Sequence, residues 1–375
     1  MKDLALYIHI PFCHHKCIYC DFYSLTDLNL IDKFVEALIC EINYYAKKYS
    51  RDYKIISIFF GGGTPSILSV KHFELILAAI CKNFVLKTGI EITIESNPGT
   101  IDLQKLKEFK KNGVNRISIG IQSFDDNELE FLTRIHDSKQ AIDSVLNANK
   151  VGFKNINIDL IFGLPKQNLK SWKYNLEKAI QLPITHVSAY SLIIEENTKL
   201  FDLIKDGRVK KQDEKEEADF YKETILFLTQ NNFHQYEVSN FAKNGFECVH
   251  NNAYWRYKDY IGFGPSAHSF LATKRWNNYS SLNKFINWKK IDEIIENEEK
   301  LSADKIQFEY IMLAIRSKGL NLVELKRKFG DDWLNKNQQK IDLYISKGFL
   351  VINNGILSLT SAGYAICDEI LANIL

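Results

Sequence analysis

From residue 4 to about residue 191, short β-branched apolar runs alternate with stretches whose apolar side chains recur every three to four positions. The runs predict strands at Leu4–Ile10, Ile55–Phe60, Ile90–Glu95, Arg116–Ile121, Asn155–Ile161 and His186–Ser191. Helical spacing falls between them, at Leu30–Tyr49, Val70–Phe84, Leu103–Lys111, Ser138–Val151 and Leu169–Leu182. Strands separated by helices predict a parallel sheet of right-handed βαβ units, here a partial (β/α)6 barrel of the α/β class. A nearly all-apolar run such as residues 55–60 (IISIFF) fits a strand covered on both faces.

After about residue 200 the rhythm changes. The charge run 210–217 (KKQDEKEE) reads as the exposed start of a helix continuing to Gln230, and Gln235–Val238 as a strand extending the sheet. From Ser302 the pattern is helical, then two β-like runs flank Asn353-Asn354-Gly355, a two-sided hairpin signal, before a last helix. Helices followed by such a hairpin predict a small winged-helix-like C-terminal domain. The expected division is a barrel over residues 1–235, a connecting segment over 236–300 and the small domain over 301–375.

Composition narrows the classes. A chain of 375 residues can bury a large core, and a formal net charge of +2 provides no field that argues for nucleic acid. No apolar stretch reaches the length of a transmembrane helix. The first apolar run ends at Pro11 and is too short for a signal peptide, so the cytoplasm is the expected compartment. Four of the seven cysteines, Cys40, Cys81, Cys248 and Cys367, are scattered and read as small hydrophobes rather than a disulfide framework.

The other three carry chemistry. Cys13, Cys17 and Cys20 lie within eight residues on a loop just after the first strand. Three thiolates without a neighbouring fourth could hold a [4Fe–4S] cluster with one iron open; with a nearby His they could also hold structural zinc. Strand ends in a parallel barrel are where chemistry sits. Here they carry the cysteine loop, the run Gly61-Gly62-Gly63-Thr64-Pro65, Glu95, Gln122, Asp159 and Tyr190. Glycines let the backbone approach a ligand closely, though a tight turn also explains them. The polar residues suit an amine and ribose hydroxyls, and Arg134 suits a carboxylate; each alone also fits a solvated loop or surface helix.

Together the CxxxCxxC loop, the GGGTP turn and the later Glu, Gln, Arg and Asp positions resemble the radical S-adenosylmethionine family, in its coproporphyrinogen-dehydrogenase-like branch. The resemblance implies a [4Fe–4S] cluster on Cys13, Cys17 and Cys20, with S-adenosylmethionine chelating the fourth iron. It places Tyr7 and Tyr19 beside cluster and cofactor, and Gly61, Gly62, Thr64 and Glu95 around the methionine end. Gln122 and Asp159 fall on the ribose and Arg134 on the carboxylate. Oxygen-independent coproporphyrinogen III dehydrogenases of the branch carry a further Cys where this chain has Phe22, and a longer segment before Tyr7. The run His250-Asn251-Asn252-Ala253-Tyr254-Trp255 instead resembles the HNxxYW motif of the branch's heme-chaperone subgroup.

That likeness implies heme binding through His250, and delivery to heme-accepting proteins, membrane respiratory enzymes among them, with a homodimer as an allowed assembly. A neutral imidazole is an ordinary heme ligand and the two aromatics suit a flat macrocycle, while a buried, hydrogen-bonded His beside core aromatics is the plainer alternative. His268, after a glycine-rich turn, ranks below His250: it could face the same cavity, but a structural role is the favoured expectation; His136 is expected to support Arg134, and His14 and His15 to face solvent. Radical oxidative decarboxylation of coproporphyrinogen III is the competing expectation. For radical methyl transfer to a tetrapyrrole the chain shows no specific feature.

Overall fold

In the six predicted strands, isoleucines alternate with polar residues more regularly than a doubly apolar sheet requires, and the fold uses both sets. The computed structural model describes residues 1–375. Strands β1 (Lys2–Ile10), β2 (Tyr53–Gly62), β3 (Val85–Ser96), β4 (Arg116–Gln122), β5 (Asn155–Phe162) and β6 (His186–Ser191) pair in parallel, in chain order. Ile92, Ile94, Ile117, Ile119, Ile156 and Ile158 join Leu106, Phe109, Val145 and Leu176 of the covering helices in one core. The alternate positions, Glu91, Thr93, Arg116, Ser118, Asn157, His186 and Ser188, are also buried. They belong to the opposite face, because successive side chains of a strand point to opposite sides. The strands are covered twice as expected, but the inner surface is polar.

Helix ends follow local chemistry. Asp137 and Gln140 form a capping box at the start of the helix Ser138–Val151, and Gly152 ends it with φ of 96°. Asp102 caps the start of Leu103–Lys111, its side chain accepting from the Lys105 amide.

The barrel does not close. After β7 (His234–Gln235), β8 (Asn240–Ala242) lies antiparallel to β6. The predicted strand over 235–238 is therefore a tight hairpin, turning before Val238. On the other edge β9 (Tyr260–Phe263) runs parallel to β1, followed outward by β10 (His268–Leu271), β11 (Lys274–Asn278) and β12 (Ile295–Lys300). Residues 236–300 thus supply sheet strands, and Phe241, Phe263, Trp276 and Phe285 join the large core.

A second core lies beyond residue 300. The helices Ala303–Ile315, Leu322–Phe329, Asp332–Ser346 and Cys367–Ile374 pack with a small sheet of β13 (Leu320–Asn321), β14 (Leu350–Asn353) and β15 (Ile356–Leu359). Asn354 and Gly355 join β14 to β15 with φ of 51° and 75°, the left-handed pair a two-residue hairpin needs.

Candidate functional site

The loop after β1 is tied to the end of β2. The amides of Gly63 and Thr64 donate to the carbonyls of Ile10 and Phe12 at 2.8 and 2.7 Å. The Thr64 hydroxyl lies 3.1 Å from the Cys13 thiol. A Cβ on Gly63 would sit 2.5 Å from the Phe12 carbonyl oxygen. On Gly62, whose φ is 106°, it would meet the His9 ring at 2.7 Å, and on Gly61 the Tyr7 ring at 2.8 Å. The glycine run therefore first serves close approach of the chain to itself, and by it presents Thr64 to the cysteine loop.

Cys13, Cys17 and Cys20 are unpaired and partly exposed. Burial raises the Cys20 thiol above its ordinary pKa. Arg134 is brought to them from the far side, its Nη1 3.6 Å from the Cys17 sulfur. Its Nη2 donates to Asn97 Oδ1 at 2.5 Å and to the Gly120 carbonyl at 2.7 Å, while its buried Nε has no partner. Asn97 Nδ2 in turn donates to Thr64 at 2.8 Å. Tyr19 lies beside Arg134, Cys17 and Cys20, and its hydroxyl is shifted upward by burial.

Deeper in the mouth, Glu95 adjoins Gly61, its Oε2 3.1 Å from where a Cβ would stand. Burial, then the nearby Asp159, raises its carboxyl to about 8. Asp159 accepts from Asn157 Nδ2 at 2.7 Å and from the Ser118 hydroxyl at 3.3 Å. Gln122 ends β4 in the left-handed region, φ 71°, where the ladder to β5 slips by one residue. Its amide nitrogen and Asn97 Oδ1 both fall 3.0 Å from a Cβ on Gly120, so that glycine makes room for them.

This donor set fits the groups the resemblance implies: three free thiols on one loop, a buried guanidinium with an unpartnered Nε, and two buried carboxyl groups. Asn97, Ser118 and Asn157 were missing from the sequence expectation. Ser118 and Asn157 share the strand-alternation signal with Asp159, and Asn97 follows Glu95 by two positions.

His250, expected as a heme ligand, is buried in the barrel interior. It sits in the helix Val249–Trp255, which fills the lower lumen: Ala253 packs on Ala5 and Ile56, and the His250 ring stacks on Phe59 at 5.0 Å. Glu91 accepts from the amides of Val249 and His250, both at 3.0 Å. The ring pairs through Nδ1 with Ser57 Oγ at 3.0 Å and through Nε2 with the Tyr254 hydroxyl at 2.8 Å. At 1% exposure, and lowered by burial to a pKa of about 3, it is a neutral interior imidazole with neither nitrogen free. His136 is buried and bonded to the Ile121 carbonyl at 3.1 Å.

A cavity of about 720 Å³ opens beside the cysteine loop, between the β9–β11 edge and the helix Ala303–Ile315. Tyr7, Tyr254, Tyr257, Tyr260 and Phe270 line it on the barrel side, with Phe22 from the loop and Met312 and Leu313 from the helix. Lys258 and Arg275 also line it, each paired with a carboxylate: Asp3 at 2.6 Å and Glu309 at 2.5 Å.

Residues 7–179 match the radical SAM superfamily and residues 301–366 the HemN C-terminal domain. The heme chaperone HemW of Lactococcus lactis is 35% identical over 371 residues, spanning 98% of this chain and 96% of the relative. That of Bacillus subtilis is 34% identical over 373 residues, 98% and 97% of the two chains. That of Escherichia coli is 39% identical over 270 residues, 72% and 70%. Among solved structures, the Escherichia coli coproporphyrinogen III oxidase HemN, a radical SAM enzyme, superposes with a TM-score of 0.85 at 23% identity. That match covers 100% of this chain and 90% of that one, and it bears on the fold. With a radical SAM barrel, a HemN-type C-terminal domain and end-to-end likeness to these chaperones, the chain belongs to the HemW family of the radical SAM superfamily.

Proposed function

We propose that this chain binds heme and hands it to heme-dependent proteins, membrane respiratory enzymes included. Membership in the radical SAM superfamily implies a [4Fe–4S] cluster and S-adenosylmethionine. Cys13, Cys17 and Cys20 are the residues to hold the cluster. To S-adenosylmethionine we assign Tyr7, Tyr19, Gly61, Gly62, Thr64, Glu95, Gln122, Arg134 and Asp159. When bound, that pair supplies one-electron chemistry at the barrel mouth. The chain's own part is to fix the thiols through Thr64 and Arg134, and to offer the buried carboxyl groups of Glu95 and Asp159 as hydrogen-bond partners.

The observation that carries the heme reading is the aromatic cavity. Its volume of about 720 Å³ falls within the range of small-molecule and cofactor sites, and five tyrosines, two phenylalanines and a methionine line it. Such walls suit a flat apolar macrocycle. The full-length relatives are heme chaperones, which points to the same ligand. No helix is long and apolar enough to cross a membrane.

The test is an anaerobic heme titration of the cluster-reconstituted chain, followed by mixing with a heme-free acceptor protein. Saturable one-to-one binding and appearance of the acceptor's holo spectrum are expected. Absence of saturable binding would refute the proposal. Formation of vinyl-bearing protoporphyrinogen from coproporphyrinogen III, with S-adenosylmethionine and reductant supplied, would replace it with the dehydrogenase reading.

A further inference from the structure

We propose that His268, rather than the buried His250, is the side chain that ligates heme iron in the aromatic cavity. This rests on the heme reading and adds the ligand and the place. Nine histidines are available. His9, His186 and His250 have both ring nitrogens engaged: His9 with Tyr7 and Tyr23, His186 with Asn157 and Tyr236. His15, His72 and His136 each have one engaged, and none of the three lines the cavity. His14 stands in the narrow cleft with Cys13 and Cys17, and His234 begins β7 at the far end of the sheet. Only His268 lines the cavity with a ring that makes no hydrogen bond to the protein.

Its placement is built rather than incidental. His268 is the first residue of β10, at the end of a turn held at two points. The Gly264 amide donates to the buried Glu41 at 2.8 Å, and the Gly262 amide pairs with Ser269 Oγ at 2.9 Å. A Cβ on Gly264 would stand 2.5 Å from the His9 carbonyl oxygen, so the turn is seated directly on β1. The ring remains exposed to the cavity. Partial burial, then the charge of Arg275, lowers its pKa, which favours the neutral imidazole a metal ligand must be. Tyr254, the hydrogen-bond partner of His250, also lines this cavity. The HNxxYW helix therefore contributes to the same cavity through Tyr254, as a wall.

The experiment titrates the full-length, cluster-reconstituted protein with heme and, separately, with iron-free protoporphyrin IX. His268→Ala removes an exposed side chain with no bonds to lose, so the fold is retained. Expected are a shifted Soret band and a loss of heme affinity of roughly tenfold or more, about 1.4 kcal/mol per tenfold. Protoporphyrin IX should bind the variant as it binds wild type, and added imidazole should restore the wild-type heme spectrum. His250→Gln, which keeps a polar group in the lumen, should leave the Soret band in place. A wild-type spectrum and affinity in His268→Ala would overturn the assignment while leaving heme binding intact. Failure of wild type to bind heme would instead overturn the functional proposal on which it rests.

Discussion

Glu41 offers a stability test whose size follows from its surroundings. It lies in the helix Ile31–Tyr49 at 0% exposure and accepts from the Gly264 amide at 2.8 Å and from Asn278 Nδ2 at 2.7 Å. No cation pairs with it among the ion pairs. Burial outweighs the two hydrogen bonds and raises its carboxyl from 4.5 to about 8. Below the unfolded value both states hold the proton, and the group costs nothing. Between 4.5 and 8 the folded chain keeps a proton that the unfolded chain has released, so stability falls as pH rises, and levels off above 8. At about 1.36 kcal/mol per unit, the loss between pH 5 and pH 8 comes to roughly 3 to 4 kcal/mol. Glu41→Gln lacks this titration. Urea unfolding of both proteins across that range, followed by tryptophan fluorescence, isolates the effect, because every other titrating group is common to the two. Trp276, stacked on Tyr45 at 5.7 Å one turn from Glu41, reports from the same core. The stability of the variant relative to wild type should climb by that amount and then flatten. A difference that stays within about 1 kcal/mol, or that falls with pH, would refute the reasoning.

Replacing any of Cys13, Cys17 or Cys20 by Ala should abolish iron and sulfide incorporation on anaerobic reconstitution; a full cluster complement in the triple variant would move the site. Gly62→Ala forces a Cβ into the His9 ring at a φ of 106° and should lower stability by about 2 kcal/mol or more, read as a drop in thermal midpoint. Glu91→Ala strips the amides of Val249 and His250 of their buried acceptor, and at about 1.5–3 kcal/mol for each charge-assisted bond should cost about 3–5 kcal/mol in urea unfolding. An unchanged unfolding midpoint would show that the lumen helix is held by something else.

The parallel strands and their helices were legible because each is a local pattern. The helices Leu103–Lys111 and Ser138–Val151 and the strand His186–Ser191 begin and end where apolar spacing and capping residues place them. The cysteine spacing and GGGTP turn were equally plain, since a short thiol loop and a close backbone approach constrain neighbouring residues. The polar lumen was half visible. Thr93 and Glu95, Ser118 and Gly120, and Asn157 and Asp159 alternate with isoleucines, but a stretch like IISIFF masks the period on β2. Segment 236–300 was harder, because its short strands pair with β1 and β6, far away in sequence.

By itself, then, the sequence determined the winding of the barrel, the cysteine loop and the small C-terminal domain, all of which arise from spacings of a few residues. The roles of the histidines were decided only in three dimensions. A ring nitrogen serves a metal only if nothing else occupies it, and its occupants come from distant segments. Ser57, 193 positions away, closes one nitrogen of His250. The turn pinned by Glu41, 223 positions from Gly264, leaves His268 open to the cavity.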